Sequence, residues 1–371
     1  MKLPLGYGLI GCGGFGRFCL QAYRQIDGLA CLAVADSDPE LARTTAAEFG
    51  LDFASSPAAL LARPDIGIVH LATPPFTHAS LALQALEAGK HVLCEKPLAL
   101  RMEDAEVMVA LARQKGLLLA VNLIMRYNPL CRAVKHLVES RLLGEPIFAS
   151  FINAAQDEAL GPAHWFWDPA KSGGIFIEHG VHFFDLFEWW FGPGEVLSAH
   201  QIARPDSGII DQVQCCVRYG AMTLASFYHG FHQMRRRDQQ GWEIIFETGT
   251  LRMSEWVPTR LQLDLHGTGA TISDLAALFP GAEIEVVERY PESAQPVVSR
   301  HQPREVTVHA RLAAGAGLPK MELYGEILRA LMKDQLQAIA DPGHLRTISE
   351  SNGLSSLAYA VAAQAIAERG T

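Results

Sequence analysis

Residues 7–16 read Tyr-Gly-Leu-Ile-Gly-Cys-Gly-Gly-Phe-Gly. A short apolar run ends in Gly11-x-Gly13-x-x-Gly16, and a segment of helical period follows at once. That sequence of events confines the chain to few architectures. Gly11 makes a tight turn, Gly13 lets a ligand approach the backbone, and Gly16 lets helix and strand pack closely. Gly14 and Phe15 complete the loop. With 32 glycines in 371 residues, chance supplies about 0.2 such patterns, so context must decide. An overlapping match at Gly6, Gly8 and Gly11 has too few residues before it for a strand of normal length. The second match has its strand and its helix.

The context continues as strand and helix in alternation. Strands are expected at 7–11, 29–35, 66–72, 91–94 and 117–123, and helices at 15–26, 39–49, 77–88 and 102–115. Glycines follow several of these helices (Gly28, Gly50, Gly89, Gly116), where a left-handed cap is favoured. The strands are near-continuous apolar runs, as a parallel sheet covered on both faces requires. The first half therefore reads as an α/β doubly wound Rossmann domain. Asp36 ends the second strand, placed to bind a ribose 2′-hydroxyl. The helix N-terminus offers N–H groups and partial positive charge to a pyrophosphate. A 2′-phosphate about 4 Å from Asp36 would be repelled by about 4 kcal/mol per charge pair at an effective dielectric near 20. NAD is favoured over NADP on that ground, with Arg17 and Arg43 as the counterweight.

A chain of 371 residues exceeds what one core usually serves, so two domains are expected. We assign 1–127 to the nucleotide-binding domain and 128–371 to an α+β domain with a large open, mostly antiparallel sheet. The second domain begins with a helix near 128–143. A helix follows at 177–191, then strand-like runs at 196–202, 212–219, 222–228, 242–247 and 250–253. Residues 257–320 read as loop. Helices at 321–340 and 354–368 close the chain, the last one packing back toward the first domain.

Formal net charge is −9, which argues against a nucleic-acid surface. No apolar run reaches the ~20 residues of a membrane helix. Seven cysteines without a C-x-x-C pair suggest reduced thiols and a cytoplasmic location.

Ligands of such a domain sit beyond the carboxyl ends of its strands. Glu95-Lys96-Pro97 is at one such end, and Thr73-Pro74 with His78 at another. Further on, Glu178, His182 and Asp185 fall at about 0°, 40° and −20° on a helical projection otherwise rich in Phe and Trp. A polar stripe on an apolar helix must face a polar cavity or pair within itself. His179 lies off that stripe. A metal site from Glu178, His179 and His182 is disfavoured because the directions diverge, so no metal is expected there.

These features together resemble the glucose–fructose oxidoreductase / inositol dehydrogenase (Gfo/Idh/MocA) family. The matching pieces are the Gly11–Gly16 loop with Asp36, Glu95-Lys96-Pro97, Arg126-Tyr127-Asn128-Pro129, the segment from Gly173-Gly174 to Asp185, and the closing helix. The resemblance implies hydride transfer between NAD(P) and a secondary alcohol or ketone of a sugar, cyclitol or related polyol. It matches the family's lysine to Lys96 and its histidine to His182. The family's aspartate four residues before that histidine is Glu178 here, one methylene longer. It implies a homodimer or homotetramer formed through the second-domain sheet. On this reading Lys96, His182 and Glu178 are catalytic. Gly11, Gly13, Gly14, Phe15, Gly16, Asp36, Thr73, Pro74, His78, Glu95 and Lys96 hold the cofactor. Lys96, Asp185, His182, Arg126, Trp165 and His229 hold substrate, with Trp167, Tyr228 and His232 as further candidates for the sugar wall. Two other readings are a dinucleotide-binding sensor without turnover and a reductase of an imine or tetrapyrrole-like system.

Overall fold

A computed structural model describes residues 4–291 and 297–370. The chain forms two compact units, neither continuous in sequence. The first comprises Met1–Arg126, Pro162–Asp185 and Tyr324–Ala362, and the second Tyr127–Gly161, Leu186–Leu323 and Ala363–Thr371.

The first unit is built on a six-stranded sheet in the order β3-β2-β1-β4-β5-β6. Its strands are β1 (Leu5–Ile10), β2 (Leu29–Ala35), β3 (Asp52–Phe53), β4 (Ile68–Leu71), β5 (His91–Cys94) and β6 (Leu119–Val121). Every pairing is parallel. The order reverses between β1 and β4, where a doubly wound sheet leaves its ligand crevice. All residues of β1 and β4 are buried, because helices cover both faces of such a sheet. Helix Pro39–Phe49 shows why boundaries fall where they do. Asp38 caps it by accepting from Glu40 N and Leu41 N, Pro39 opens it, and Gly50 at φ 67° ends it. The C-terminal helix Glu350–Arg369 belongs largely to this unit. A Cβ on Gly353 would stand 3.0 Å from Leu98 and 3.1 Å from Val121, so the glycine lets that helix approach β6.

The second unit carries a nine-stranded sheet in the order β14-β17-β13-β12-β11-β7-β10-β9-β8. In chain order the strands are β7 (Pro146–Gln156), β8 (Gly194–Ala203), β9 (Ile210–Tyr219), β10 (Thr223–Gln233), β11 (Gln239–Phe246), β12 (Gly249–Ser254), β13 (Arg260–Gly267), β14 (Glu283–Arg289) and β17 (Val308–Gly315). Strands β15 (Val297–Ser299) and β16 (Gln302–Arg304) form a separate ribbon. All pairings in the large sheet are antiparallel except β7 with β10. Helix Pro129–Ser140 is fixed by Asn128, whose Oδ1 accepts from Leu130 N and whose Nδ2 donates to Pro258 O. Aromatic packing fills this core. Phe227 lies 4.6 Å from Phe187, Phe151 lies 4.3 Å from Trp242, and Trp190 Nε1 donates to Cys131 O.

Two readings of the sequence are corrected here. Strand β7 was not anticipated, yet it lies mid-sheet between β11 and β10. Residues 257–320, read as loop, supply three strands of the large sheet and helix Gly269–Leu278. The signal was present in β13, whose alternate residues Leu261, Leu263 and Leu265 are buried. Flanking Pro and Gly masked that period-two pattern.

Truncating Phe227 to Ala removes a fully buried ring from this cluster. We expect a loss of about 3–5 kcal/mol in urea unfolding. A loss below about 1 kcal/mol would contradict the packing described.

Candidate functional site

The glycine loop behaves as its spacing requires. Gly11 has φ 103°, and a Cβ there would lie 2.3 Å from Ala72 O. A Cβ on Gly16 would lie 2.1 Å from Gly11 O. Both positions therefore need glycine for the fold alone. Gly13 and Gly14 differ, since a Cβ on either meets nothing within 4 Å. The space above them is open, as a bound group needs. Helix Gly14–Tyr23 begins there, and no side chain caps it. Asp36 Oδ2 accepts from Cys12 N at 2.7 Å and Oδ1 from Asp38 N at 2.9 Å. These bonds fix the carboxylate beside the loop. The two arginines that might welcome a 2′-phosphate are engaged elsewhere. Arg17 pairs with Glu48. Arg43 lies over the Phe53 ring at 4.3 Å and pairs with Glu40. Open space, an uncapped helix and a fixed acid fit an NAD molecule.

At the end of β5, Lys96 Nζ donates to Glu178 Oε1 at 2.6 Å and to Glu178 O at 2.8 Å. The two side chains are 17% and 12% exposed, so the pair is largely sheltered from water. Glu178 sits in a turn of π-helix, Phe176–Gly180, which runs into helix Val181–Phe191. That wider turn corrects the uniform helical projection drawn from the sequence. His182 is buried, and its pKa is pushed well below the ordinary imidazole value by burial, then by Lys96 and His179. His179 is pushed down to about 3 by burial and by Lys96. The coupling brings His179 into the electrostatic neighbourhood of Lys96 and His182. On the helical projection drawn from the sequence it lies off the polar stripe.

Other expected site residues have different surroundings. Glu95 turns into the core: its Oε1 pairs with His70 Nε2 at 3.0 Å and accepts from Asn122 Nδ2 at 2.6 Å. His70 Nδ1 meets Tyr7 OH at 3.0 Å. This buried relay crosses β1, β4, β5 and the end of β6. It stiffens the strand end before Lys96 and replaces the expectation that Glu95 faces the cofactor. Tyr7, His70 and Asn122 were not singled out in the sequence. Their only signal is polarity within apolar strands.

His78 is also corrected. It is fully buried, with Nδ1 2.7 Å from Pro97 O and Nε2 2.8 Å from Thr73 O. Burial lowers its pKa despite those carbonyls, so the neutral ring donates to one of them. Its ring is wedged between Thr73 and the Lys96-Pro97 segment, hydrogen-bonded to one of the two carbonyls. Thr73 Oγ1 shares a 2.6 Å hydrogen bond with Thr77, and Pro74 O accepts from Thr77 N.

Asp185 and Arg126 pair with each other. Arg126 donates through Nε at 3.0 Å and Nη2 at 2.7 Å to the two carboxylate oxygens. A buried bidentate pair satisfies both charges, so neither projects an unmatched charge toward a sugar. The stripe of Glu178, His182 and Asp185 is thus divided among partners. Trp165 is half-buried beside His164 in the first unit. His229 belongs to the second unit, fully buried with its ring 5.6 Å from Phe151. Tyr228, on the other side of β10, donates to Gln212 Oε1 and meets His232 Nε2 at 2.7 Å.

Comparison with known proteins gives the family and the fold. Residues 5–123 fit the model of the oxidoreductase family with an NAD-binding Rossmann fold, and residues 131–252 the GFO/IDH/MocA C-terminal domain. D-apiose dehydrogenase of Paraburkholderia graminis is 29% identical over 301 residues, 79% of this chain and 78% of its own. dTDP-3,4-didehydro-2,6-dideoxy-alpha-D-glucose 3-reductase of Saccharopolyspora spinosa is 30% identical over 69% of this chain and 78% of its own. Levoglucosan dehydrogenase, solved with NADH and L-sorbose, superimposes with a TM-score of 0.77 at 22% identity, covering 99% of this chain and 97% of its own. The chain belongs to the Gfo/Idh/MocA family of NAD-binding oxidoreductases. Among the described residues no helix is long and apolar enough to cross a membrane.

Two measurements follow from the site. Replacing Asp36 by Ser should raise the NADP-to-NAD ratio of kcat/KM at least about tenfold by removing the repelling charge; an unchanged ratio would remove Asp36 from ribose recognition. The two depressed imidazoles bear on stability. Their folded pKa values lie below the unfolded value near 6.5, so the unfolded chain binds more protons. Their contribution is intact above pH 6.5 and falls as pH drops below it, by up to about 1.4 kcal/mol per pH unit for each. Urea unfolding between pH 7.5 and 5.5 should show that decline, and His179→Gln should flatten it. Equal slopes in both proteins would contradict the assignment.

Proposed function

We propose that this chain moves hydride between a nicotinamide and the secondary alcohol or ketone of a sugar, cyclitol or related polyol, with Lys96, Glu178 and His182 carrying the chemistry. The observation that carries the reading is the largely sheltered ion pair of Lys96 with Glu178, close enough for Lys96 to depress the pKa of a neutral His182, in the unit that also holds the glycine loop. The sugar names of the relatives support the substrate class.

When bound, NAD would supply the hydride acceptor and NADH the hydride donor. Gly11, Gly13, Gly14, Phe15 and Gly16 seat the pyrophosphate at the helix N-terminus, and Asp36 takes the ribose hydroxyls. An ammonium has three N–H groups. Two of those on Lys96 are committed to Glu178. The third is left to hold the substrate oxygen and to stabilise negative charge as it develops there. Glu178 orients that ammonium, and its main-chain carbonyl doubles the restraint. His182, neutral at physiological pH because burial and Lys96 depress its pKa, takes the hydroxyl proton in oxidation and returns it in reduction. Arg126 with Asp185, and Glu95 with His70, act behind this group as positioning residues.

We assign residues 1–127 to cofactor binding and 128–371 to substrate binding and subunit contact. Exposed Ile152 on β7 and Leu224 on β10 share one face of the large sheet, which supports a homodimer or homotetramer through it. All seven cysteines are free thiols, which supports a cytoplasmic location.

The test is NADH formation at 340 nm over a panel of sugars and cyclitols. On the best substrate, His182→Ala should lose about 10²–10⁴ in kcat while NADH binding, read by fluorescence, is retained. Lys96→Met should lose about 10²–10³. Normal turnover by His182→Ala would overturn its role. No turnover on any member of the panel, with NAD still bound, would point to a sensor.

A further inference from the structure

The outer strands of the large sheet carry a second group of ligating side chains, remote in sequence from everything used above. In the β13–β17 register, His266 stands opposite His309, and in β14 Glu288 stands opposite His309. Residues opposite one another across strands share a face, as do residues two apart along a strand. Asp264, His266, His309 and Glu288 therefore occupy one face of three adjacent strands. The two imidazole rings lie parallel, 11° apart with centroids at 4.5 Å. One ligand atom from each of Asp264, His266 and His309 lies within 4.8 Å of the others.

The hydrogen bonds assign the nitrogens. Tyr290 OH lies 3.1 Å from His266 Nδ1, with its ring stacked 10° from the imidazole plane. That leaves His266 Nε2 to face the group. Metal-bound imidazoles usually give their other N–H to an oxygen in this way, which fixes tautomer and ring orientation. His309 Nε2 is 3.0 Å from Asp264 Oδ1. Arg311 Nε donates to Asp264 Oδ2 at 3.2 Å, and a cation would take Oδ1 and His309 Nε2 as ligands in place of the hydrogen bond between them. Two imidazoles and one carboxylate suit a borderline ion such as Zn²⁺ and not Ca²⁺ or Mg²⁺, which want oxygen.

We propose that Asp264, His266 and His309 bind a zinc-type divalent cation on the face of the second-unit sheet, with water or the Glu288 carboxylate completing the shell. Bonds of about 2.0–2.2 Å require the donor atoms to close to roughly 3.4 Å apart. Rotation of the two exposed-face rings out of their parallel stack supplies that closure. The ion would tie β13 to β17 and, through Glu288, to β14. The other grouping of this kind among the described residues, Cys19 with His70 and Glu95, is a weaker candidate. Its thiol is held protonated by burial.

The test uses the full chain without a histidine tag, stripped with EDTA and dialysed. Zn²⁺ titration by calorimetry should give one ion per chain with micromolar affinity, and Co²⁺ should develop visible d–d absorption. His266→Ala and His309→Ala should each abolish both signals. Tyr290→Phe should weaken Zn²⁺ binding by about tenfold. Circular dichroism of the metal-free variants checks their fold. If a variant fails to fold, the zinc-edge X-ray absorption of the wild type decides, with two imidazoles expected in the shell. No Zn²⁺ binding at 100 μM order concentrations, an unchanged titration in both histidine variants, or a sulfur ligand in the spectrum would overturn the proposal.

Discussion

Sheltering an ammonium such as that of Lys96 from water costs solvation free energy, which a close counter-charge offsets. Glu178 supplies it at 2.6 Å, and the same residue's carbonyl adds a second acceptor. Residues 82 positions apart are thereby joined. Much else in the first unit serves this contact. The relay from Tyr7 through His70 and Glu95 to Asn122 stiffens the strand end on one side. His78 is wedged against the segment after Lys96 on the other. Glu178 comes from the π-turn, whose His179 also feels the Lys96 charge.

A glutamate at position 178 has a physical sense in this setting. A longer side chain reaches Lys96 while its own main-chain carbonyl also accepts from the ammonium. Holding the lysine at two points of one residue restricts it more than a single carboxylate contact. The cost is a nearby positive field, which adds to burial, the larger cause, in lowering the pKa of His179 and His182. For the proton acceptor proposed at His182, that shift keeps the ring in its neutral, receptive form.

Much of the first unit was legible in the sequence. The Gly11–Gly16 loop, Asp36 and the strand that ends at Cys94 follow from local rules of turn chemistry and strand burial, which need no distant partner. Less was legible in the second unit. Strand β7 and the strands after residue 257 depend on pairings between segments far apart in the chain, such as β7 with β10 and β13 with β17. Period-two alternation in β13 was visible, but the Pro and Gly around it argued for loop.

The sequence alone determined the class of fold, the nucleotide loop and the identity of the ionisable groups at 96, 178 and 182. Those depend on residue type and near-neighbour spacing. Only the tertiary structure decided which charge meets which. It turned Glu95 inward to His70, bound Asp185 to Arg126, gave Glu178 to Lys96 and drew in His179. Partner choice is a matter of distance and desolvation across the fold, and neither is encoded within a single segment.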